Sequence, residues 1–134
     1  RFIMKEQIFI VDDDYEVCKS IKRLLKSEGY TVRTFTSSED FLKDLPCENS
    51  GCLILDVIMP GMNGLELQEY LNSSGYKMPV IFVTAAYEAC YRERALNAGA
   101  AGYILKPFRA GNLLNLIYNV MKDKKKSVEN KNNL

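Results

Sequence analysis

Four short, unbroken apolar runs in this sequence end abruptly on polar side chains. Ile8-Phe9-Ile10-Val11 meets Asp12, Asp13 and Asp14; Cys52-Leu53-Ile54-Leu55 meets Asp56; Val80-Ile81-Phe82-Val83 meets Thr84; Tyr103-Ile104-Leu105 meets Lys106. A continuous apolar run of this length reads as a strand buried on both faces, the kind found in parallel sheets. Parallel neighbours cannot be joined by a tight hairpin, so each pair needs a crossover, usually a helix. The segments between the runs supply such helices. The chain is therefore expected to form a single doubly wound α/β domain, with five parallel strands alternating with five helices and right-handed crossovers.

The elements follow in order. Gln7–Val11 is the first strand, and Val17, Ile21, Leu24 and Leu25 mark a helix closed by Gly29. Asp13 or Asp14 can cap that helix, with Glu16 placed for a capping box. Thr31–Phe35 alternates polar with apolar residues and is rich in β-branched ones, which suits a strand near an edge. Ser37 or Ser38 caps a short second helix carrying Phe41, Leu42 and Leu45 and ended by Pro46. The central strand, 51–56, leads through Pro60-Gly61 to a third helix. There Asn63 and Glu66 form a capping-box pair, and Leu65, Leu67 and Leu71 are the apolar positions.

A fourth strand is expected over 79–83. The segment 87–97 predicts a weakly amphipathic helix, the least firmly packed of the set, closed by Gly99. The fifth strand covers 102–105, and Leu113, Leu114, Ile117, Tyr118 and Met121 mark the stripe of a fifth helix. Residues 123–134 have the composition of a charged linker or disordered tail, whose short, interrupted basic run is a weak candidate for nucleic-acid contact. Residues 1–3 precede Met4 and read as a vector remnant, leaving 4–122 as the domain.

With 134 residues the chain suits one domain with one core. Lys plus Arg of 18 against Asp plus Glu of 17 leaves a net charge of +1, no footprint for nucleic acid or an anionic membrane. No apolar run approaches the ~20 residues of a membrane-spanning helix, and no signal peptide precedes the first strand. A cytoplasmic protein without membrane contact is the expectation. Cys18, Cys47, Cys52 and Cys90 form no CxxC pair and histidine is absent, which argues against zinc and removes every Ser-His or Cys-His nucleophile. Cys18 and Cys52 fall at core positions, as small hydrophobes. Chemistry here must run on carboxylates, hydroxyls and lysine.

Open parallel sheets place their sites outside the carboxyl ends of the strands, where strand order reverses. Asp12, Asp13, Asp56, Thr84 and Lys106 therefore converge on one crevice. Taken singly, each has an ordinary reading as a helix cap, a turn cap, a strand-end hydroxyl or a solvated lysine. Taken jointly, they describe a site. A carboxylate ending a buried strand costs desolvation energy unless paired or metal-bound, and three crowded carboxylates repel. A divalent cation plus one ammonium balances them. Oxygen donors without histidine or thiolate point to Mg²⁺ rather than Zn²⁺. Thr84 and Lys106 remain free to bind an incoming anion, and a phosphoryl group attacked by a carboxylate fits.

Ile10-Val11-Asp12-Asp13-Asp14, Leu55-Asp56-Val57-Ile58-Met59-Pro60-Gly61-Met62-Asn63-Gly64, Val83-Thr84-Ala85 and Lys106-Pro107-Phe108 stand in the order and spacing of a known family. From about Lys5 to Met121 the chain resembles the receiver domain of bacterial two-component response regulators. Phe35-Thr36-Ser37-Ser38-Glu39-Asp40-Phe41-Leu42 and Gly64-Leu65-Glu66-Leu67-Gln68 look most like the FixJ-type subgroup. The resemblance implies a flavodoxin-like sheet of strand order 2-1-3-4-5. It implies that Asp56 accepts a phosphoryl group from a sensor histidine kinase, in a domain that catalyses its own phosphorylation and dephosphorylation. Asp12, Asp13, Asp56 and the backbone carbonyl of Ile58 would hold Mg²⁺. Thr84 would swing its hydroxyl onto the phosphoryl group and Lys106 would pair with it. Tyr103 matches the switch aromatic that turns inward as Thr84 moves, though an exposed strand-end aromatic is its bland reading. The Lys106-Pro107 bond is expected to be cis.

On this reading phosphorylation biases a two-state element, and the fourth helix is the natural part to move. Tyr87, Tyr91 and Arg94 are spaced to share one side of it. With Tyr103 and the fifth helix, that side would form a phosphorylation-dependent homodimer surface; otherwise the tyrosines cover the edge of the core. Ile58 and Ala86 cannot orient a hydrolytic water by hydrogen bonding, so slow self-dephosphorylation is expected. Transcription is the expected output, with DNA reached only through an output domain absent from this chain. Two other classes compete. A phosphorylation-independent interaction module would be expected to lack some of the five site residues, and none is missing. A haloacid-dehalogenase-type phosphatase needs a further acidic pair after the lysine, where only Asp123 and Glu129 lie. A flavodoxin-like FMN binder would meet three repelling acids in place of a phosphate loop.

Overall fold

The computed structural model describes residues 7–45 and 51–132, with side chains described as far as 126. Met4, Pro46 and Cys47 lie outside these residues. Strands and helices alternate as β1 (Gln7–Val11), α1 (Tyr15–Ser27), β2 (Thr31–Phe35), α2 (Ser38–Lys43), β3 (Cys52–Leu55), α3 (Gly64–Ser73), β4 (Val80–Thr84), α4 (Ala89–Asn97), β5 (Gly102–Leu105) and α5 (Ala110–Asn132). The strands pair in parallel in the order β2-β1-β3-β4-β5. This is the expected doubly wound sheet, with β2 at an edge.

Side-chain alternation sends the apolar runs to two cores. Ile8, Ile10, Ile54 and Ile81 pack with Cys18, Ile21 and Leu25 of α1 and with Leu113 and Ile117 of α5. Phe9, Val11, Leu53, Leu55 and Phe82 pack on the other face with Phe41 of α2 and Leu65, Leu67 and Leu71 of α3. Burial on both faces is why these strands carry no polar alternation. Cys18 and Cys52 are buried, as their positions predict.

Helix ends follow the local chemistry, with some corrections. Asp14 caps α1, its side chain accepting from the amides of Glu16 and Val17. Glu16 is thus the second helical residue, one short of the capping-box position. Ser37 caps α2 through the Asp40 amide, and Asn63 with Glu66 completes both halves of a capping box on α3. Gly29 adopts φ 92 just past the end of α1, a conformation that favours glycine. α4 starts only at Ala89, so Tyr87 precedes the helix and does not share a helical face with Tyr91 and Arg94. Tyr118 is 61% exposed and falls outside the α5 stripe. α5 also continues past residue 122 to Asn132, where composition suggested a linker or tail. That run holds neither Gly nor Pro, and lysine and glutamate are good helix formers. Lys124 Nζ donates to the Gly51 carbonyl at 2.9 Å.

Candidate functional site

Strand register assembles the site. Val11 is paired with Leu55, so the next residues, Asp12 and Asp56, emerge side by side where strand order reverses between β1 and β3. Thr84 is paired with Leu105, which puts Lys106 just beyond the sheet, its amide donating to the Thr84 carbonyl at 2.8 Å. Asp12, Asp56 and Thr84 are all buried. Carboxylate oxygens of Asp12, Asp13 and Asp56 lie within 4.8 Å of one another. Lys106 Nζ donates to Asp12 Oδ2 at 2.7 Å and to Asp56 Oδ2 at 3.4 Å. The five residues singled out from strand ends therefore do meet.

The electrostatics show an excess of negative charge. Burial raises the Asp12 carboxyl above its ordinary value, and the neighbouring Asp56 charge adds to this, against hydrogen bonds from Lys106 and the Asp14 amide. Burial alone would lower the Lys106 ammonium. Its bond to Asp12 and the charges of Asp56 and Asp12 outweigh that and hold it above its ordinary value. One lysine among three carboxylates leaves the cluster short of positive charge. The donors are all oxygens, a set that suits a hard divalent cation such as Mg²⁺.

Beside Asp56 lies an open depression of about 380 Å³, lined by Ile58, Thr84, Ala85, Ala86, Glu88 and Tyr91. Asp56 Oδ1 accepts from the Val57 amide at 2.8 Å, which leaves Oδ2 toward Lys106. Thr84 Oγ1 accepts from the Ala86 amide at 3.2 Å and from the Val57 amide at 3.4 Å. Tyr103 is turned inward, its hydroxyl donating to the Ala86 carbonyl at 2.6 Å and its ring tilted against Phe82. Burial raises the Tyr103 phenol, with Glu88 and Asp56 adding to it, so it remains a donor. Lys106-Pro107 is cis, as expected.

Two supporting contacts of the site come from Gly64 and Glu39. A side chain at Gly64 would place its Cβ 1.9 Å from the Asp56 carbonyl oxygen, so α3 can start this close to the site only on a glycine. Glu39 Oε2, from α2, accepts from the Met62 amide at 2.9 Å and ties down the loop after Asp56. The Asn63-Gly64 pair was a signal for the first; the second has a backbone donor and left no signal.

Residues 8–118 match the family model of the response regulator receiver domain. The chain belongs to that family. This receiver is 39% identical over 115 residues to the response regulator protein TodT of Pseudomonas putida, an alignment covering 86% of the chain and 51% of TodT. It is 40% identical over 111 residues to the transcriptional regulatory protein TdiR of Thauera aromatica, covering 82% of the chain and 48% of TdiR. The receiver thus spans about half the length of the curated relatives it matches. The crystal structure of FixJ-N superposes with a TM-score of 0.79 at 32% identity, covering 87% of this chain and 93% of that one. The receiver accordingly belongs to two-component signalling, and its likeness to FixJ agrees with the pattern around Ser37 and Gly64. No described helix is long and apolar enough to cross a membrane.

Proposed function

We propose that Asp56 is the phosphoryl acceptor of this receiver, taking the group from a sensor histidine kinase. The observation that carries the proposal is the grouping of Asp56 with Asp12 and Asp13 at the β1/β3 strand ends and with Lys106 from the end of β5, beside an open depression. A carboxylate oxygen of Asp56 attacks the phosphorus of the phosphohistidine. The new P–O bond forms as the P–N bond breaks, and the imidazole leaves with the electron pair. Asp12, Asp13, Asp56 and the Ile58 carbonyl would hold Mg²⁺, which when bound neutralises charge on the transferring oxygens. Lys106 adds an ammonium beside Asp56, and Thr84 adds a hydroxyl in the wall of the depression. A groove of about 560 Å³ between α1 and the turn after Lys106, lined by Val17, Ile21, Leu24, Pro107 and Phe108, offers a shelf for the protein carrying the phosphohistidine.

The β4–α4 loop links this chemistry to the surface. Thr84 and Tyr103 both bond to Ala86, so a Thr84 hydroxyl drawn toward a phosphoryl oxygen gives up its bond from the Ala86 amide and frees that loop. α4 and β5 would then carry the change to a dimerisation surface, and transcription would be controlled through an output domain. Asp56→Asn tests the core of this. Intact mass after incubation with acetyl phosphate and Mg²⁺ is expected to show one phosphoryl adduct in the wild type, lost in the variant and in EDTA. A wild type without adduct would turn the reading to an interaction module that works without phosphorylation. Ile58 and Ala86 present no hydrogen-bonding side chain to the depression, so the adduct should be long-lived and should decay faster in Ile58→Asn. An unchanged decay would remove these positions from the account.

A further inference from the structure

Helix α4 gives the core only Ala95 and part of Tyr91, and takes polar bonds from its neighbour α3. Its one buried side chain is Ala95, and its N-cap, Glu88, makes no side-chain capping bond. From α3, Gln68 Nε2 donates to the Ala95 carbonyl at 2.9 Å and Asn72 Nδ2 to the Ala98 carbonyl at 2.8 Å, while Glu69 pairs with Arg94. Glu69, Asn72 and Arg94 are exposed, where such contacts contribute little. Gln68 is 2% exposed, and its bond is formed away from water. The orientation of its amide is set by chemistry, because the reversed amide would oppose two carbonyl oxygens.

Gln68 Oε1 is buried and has no hydrogen-bond partner among the described residues. An unmade bond at a buried acceptor costs free energy, so the net gain from this amide is smaller than that of a fully satisfied one. The Ala95 carbonyl does not depend on Gln68 for satisfaction, since it also accepts from the Ala100 amide at 3.0 Å. The Gln68 bond therefore locates the helix rather than rescuing a buried polar group.

We infer that Gln68 is a positioning residue for the acceptor site. By anchoring the second half of α4, it fixes the other end of the same helix, where Glu88 and Tyr91 wall the depression beside Asp56. With the bond made, the Glu88 carboxylate stays beside the path of an anionic donor; with the bond released, α4 pivots and the path widens. This inference rests on the reading of Asp56 as acceptor.

Gln68→Met keeps the length of the side chain and removes the donor. The test compares this variant with the wild type in urea unfolding, in amide exchange across α4, and in initial phosphorylation rate against acetyl phosphate concentration at saturating Mg²⁺. Unfolding should be unchanged, because a half-satisfied amide gives way to an apolar group. Exchange in α4 should rise roughly two- to tenfold, the effect of one net hydrogen bond. The half-saturating acetyl phosphate concentration should fall several-fold while the maximal rate moves less. Exchange and half-saturation that both stay at wild-type values would overturn the inference, as would changes that merely track a global loss of stability. If the wild type itself takes no phosphoryl group, the acceptor reading fails and the positioning role falls with it. The exchange comparison then still decides whether Gln68 anchors α4.

Discussion

Helices α3 and α4 lie side by side on one face of the sheet, yet they are held by opposite means. α3 begins in a complete capping box and buries Gly64, Leu65, Leu67, Gln68 and Leu71. α4 begins without a side-chain cap and buries only Ala95. Apolar burial fixes α3 in one place, because any shift uncovers leucines. α4 has only Ala95 and part of Tyr91 in the core and adds polar bonds, which can be exchanged for others at small net cost. The rigid helix starts right after the loop that follows Asp56, and the loosely held one follows Thr84. The acceptor loop thus lies between an element held by apolar burial and one with little of it.

Leucine truncations in the two helices should show this contrast most strongly. Leu67→Ala in α3 is expected to destabilise the fold by about 2–5 kcal/mol in urea unfolding, whereas Leu96→Ala on the exposed side of α4 should stay within roughly 0.5 kcal/mol. Equal losses would mean that α4 is packed as α3 is. The caps provide a smaller contrast. Asn63→Ala should cost about 1 kcal/mol, and Glu88→Ala almost nothing, since only Asn63 makes a capping bond.

Cysteine chemistry gives the subtlest contrast. Cys90 on α4 is exposed and should alkylate in the native protein, whereas buried Cys18 and Cys52 should label only on unfolding. Burial pushes the Cys18 thiol from 9.0 up to about 11, with the Asp12 charge adding to it. A folded-state value above the unfolded one means that this thiol's contribution to stability is complete below pH 9.0 and is lost as the pH rises to about 11. Urea midpoints measured across that window should fall, and the fall should shrink in Cys18→Ala. Native labelling of Cys18 at rates like those of Cys90 would contradict the packing of α1.

Most of the architecture could be read from the apolar runs because burial on both faces leaves so direct a mark, and strand ends then located Asp12, Asp13, Asp56, Thr84 and Lys106 together. Asn63 and Glu66 were legible for a similar reason, since a capping box is two side chains at a fixed spacing. The start of α4 was not, because Glu88 provides no side-chain cap to mark it. Contacts that end on backbone atoms were also invisible. The bonds from Gln68 to the Ala95 carbonyl, from the Met62 amide to Glu39 and from Tyr103 to the Ala86 carbonyl have no partner side chain to leave a pattern. The Gly64 approach to Asp56 depends on a missing atom.

If Asp56 takes the phosphoryl group, the response should appear in α4, which buries little apolar surface, and not in α3. Amide hydrogen exchange, followed by mass spectrometry with and without acetyl phosphate and Mg²⁺, tests it directly. Before phosphorylation, amides of 89–97 should exchange faster than those of 64–73, and phosphorylation should change exchange in 84–97 while leaving 64–73 as it was. Equal protection of the two helices, or a change in α3 as large as that in α4, would contradict the account.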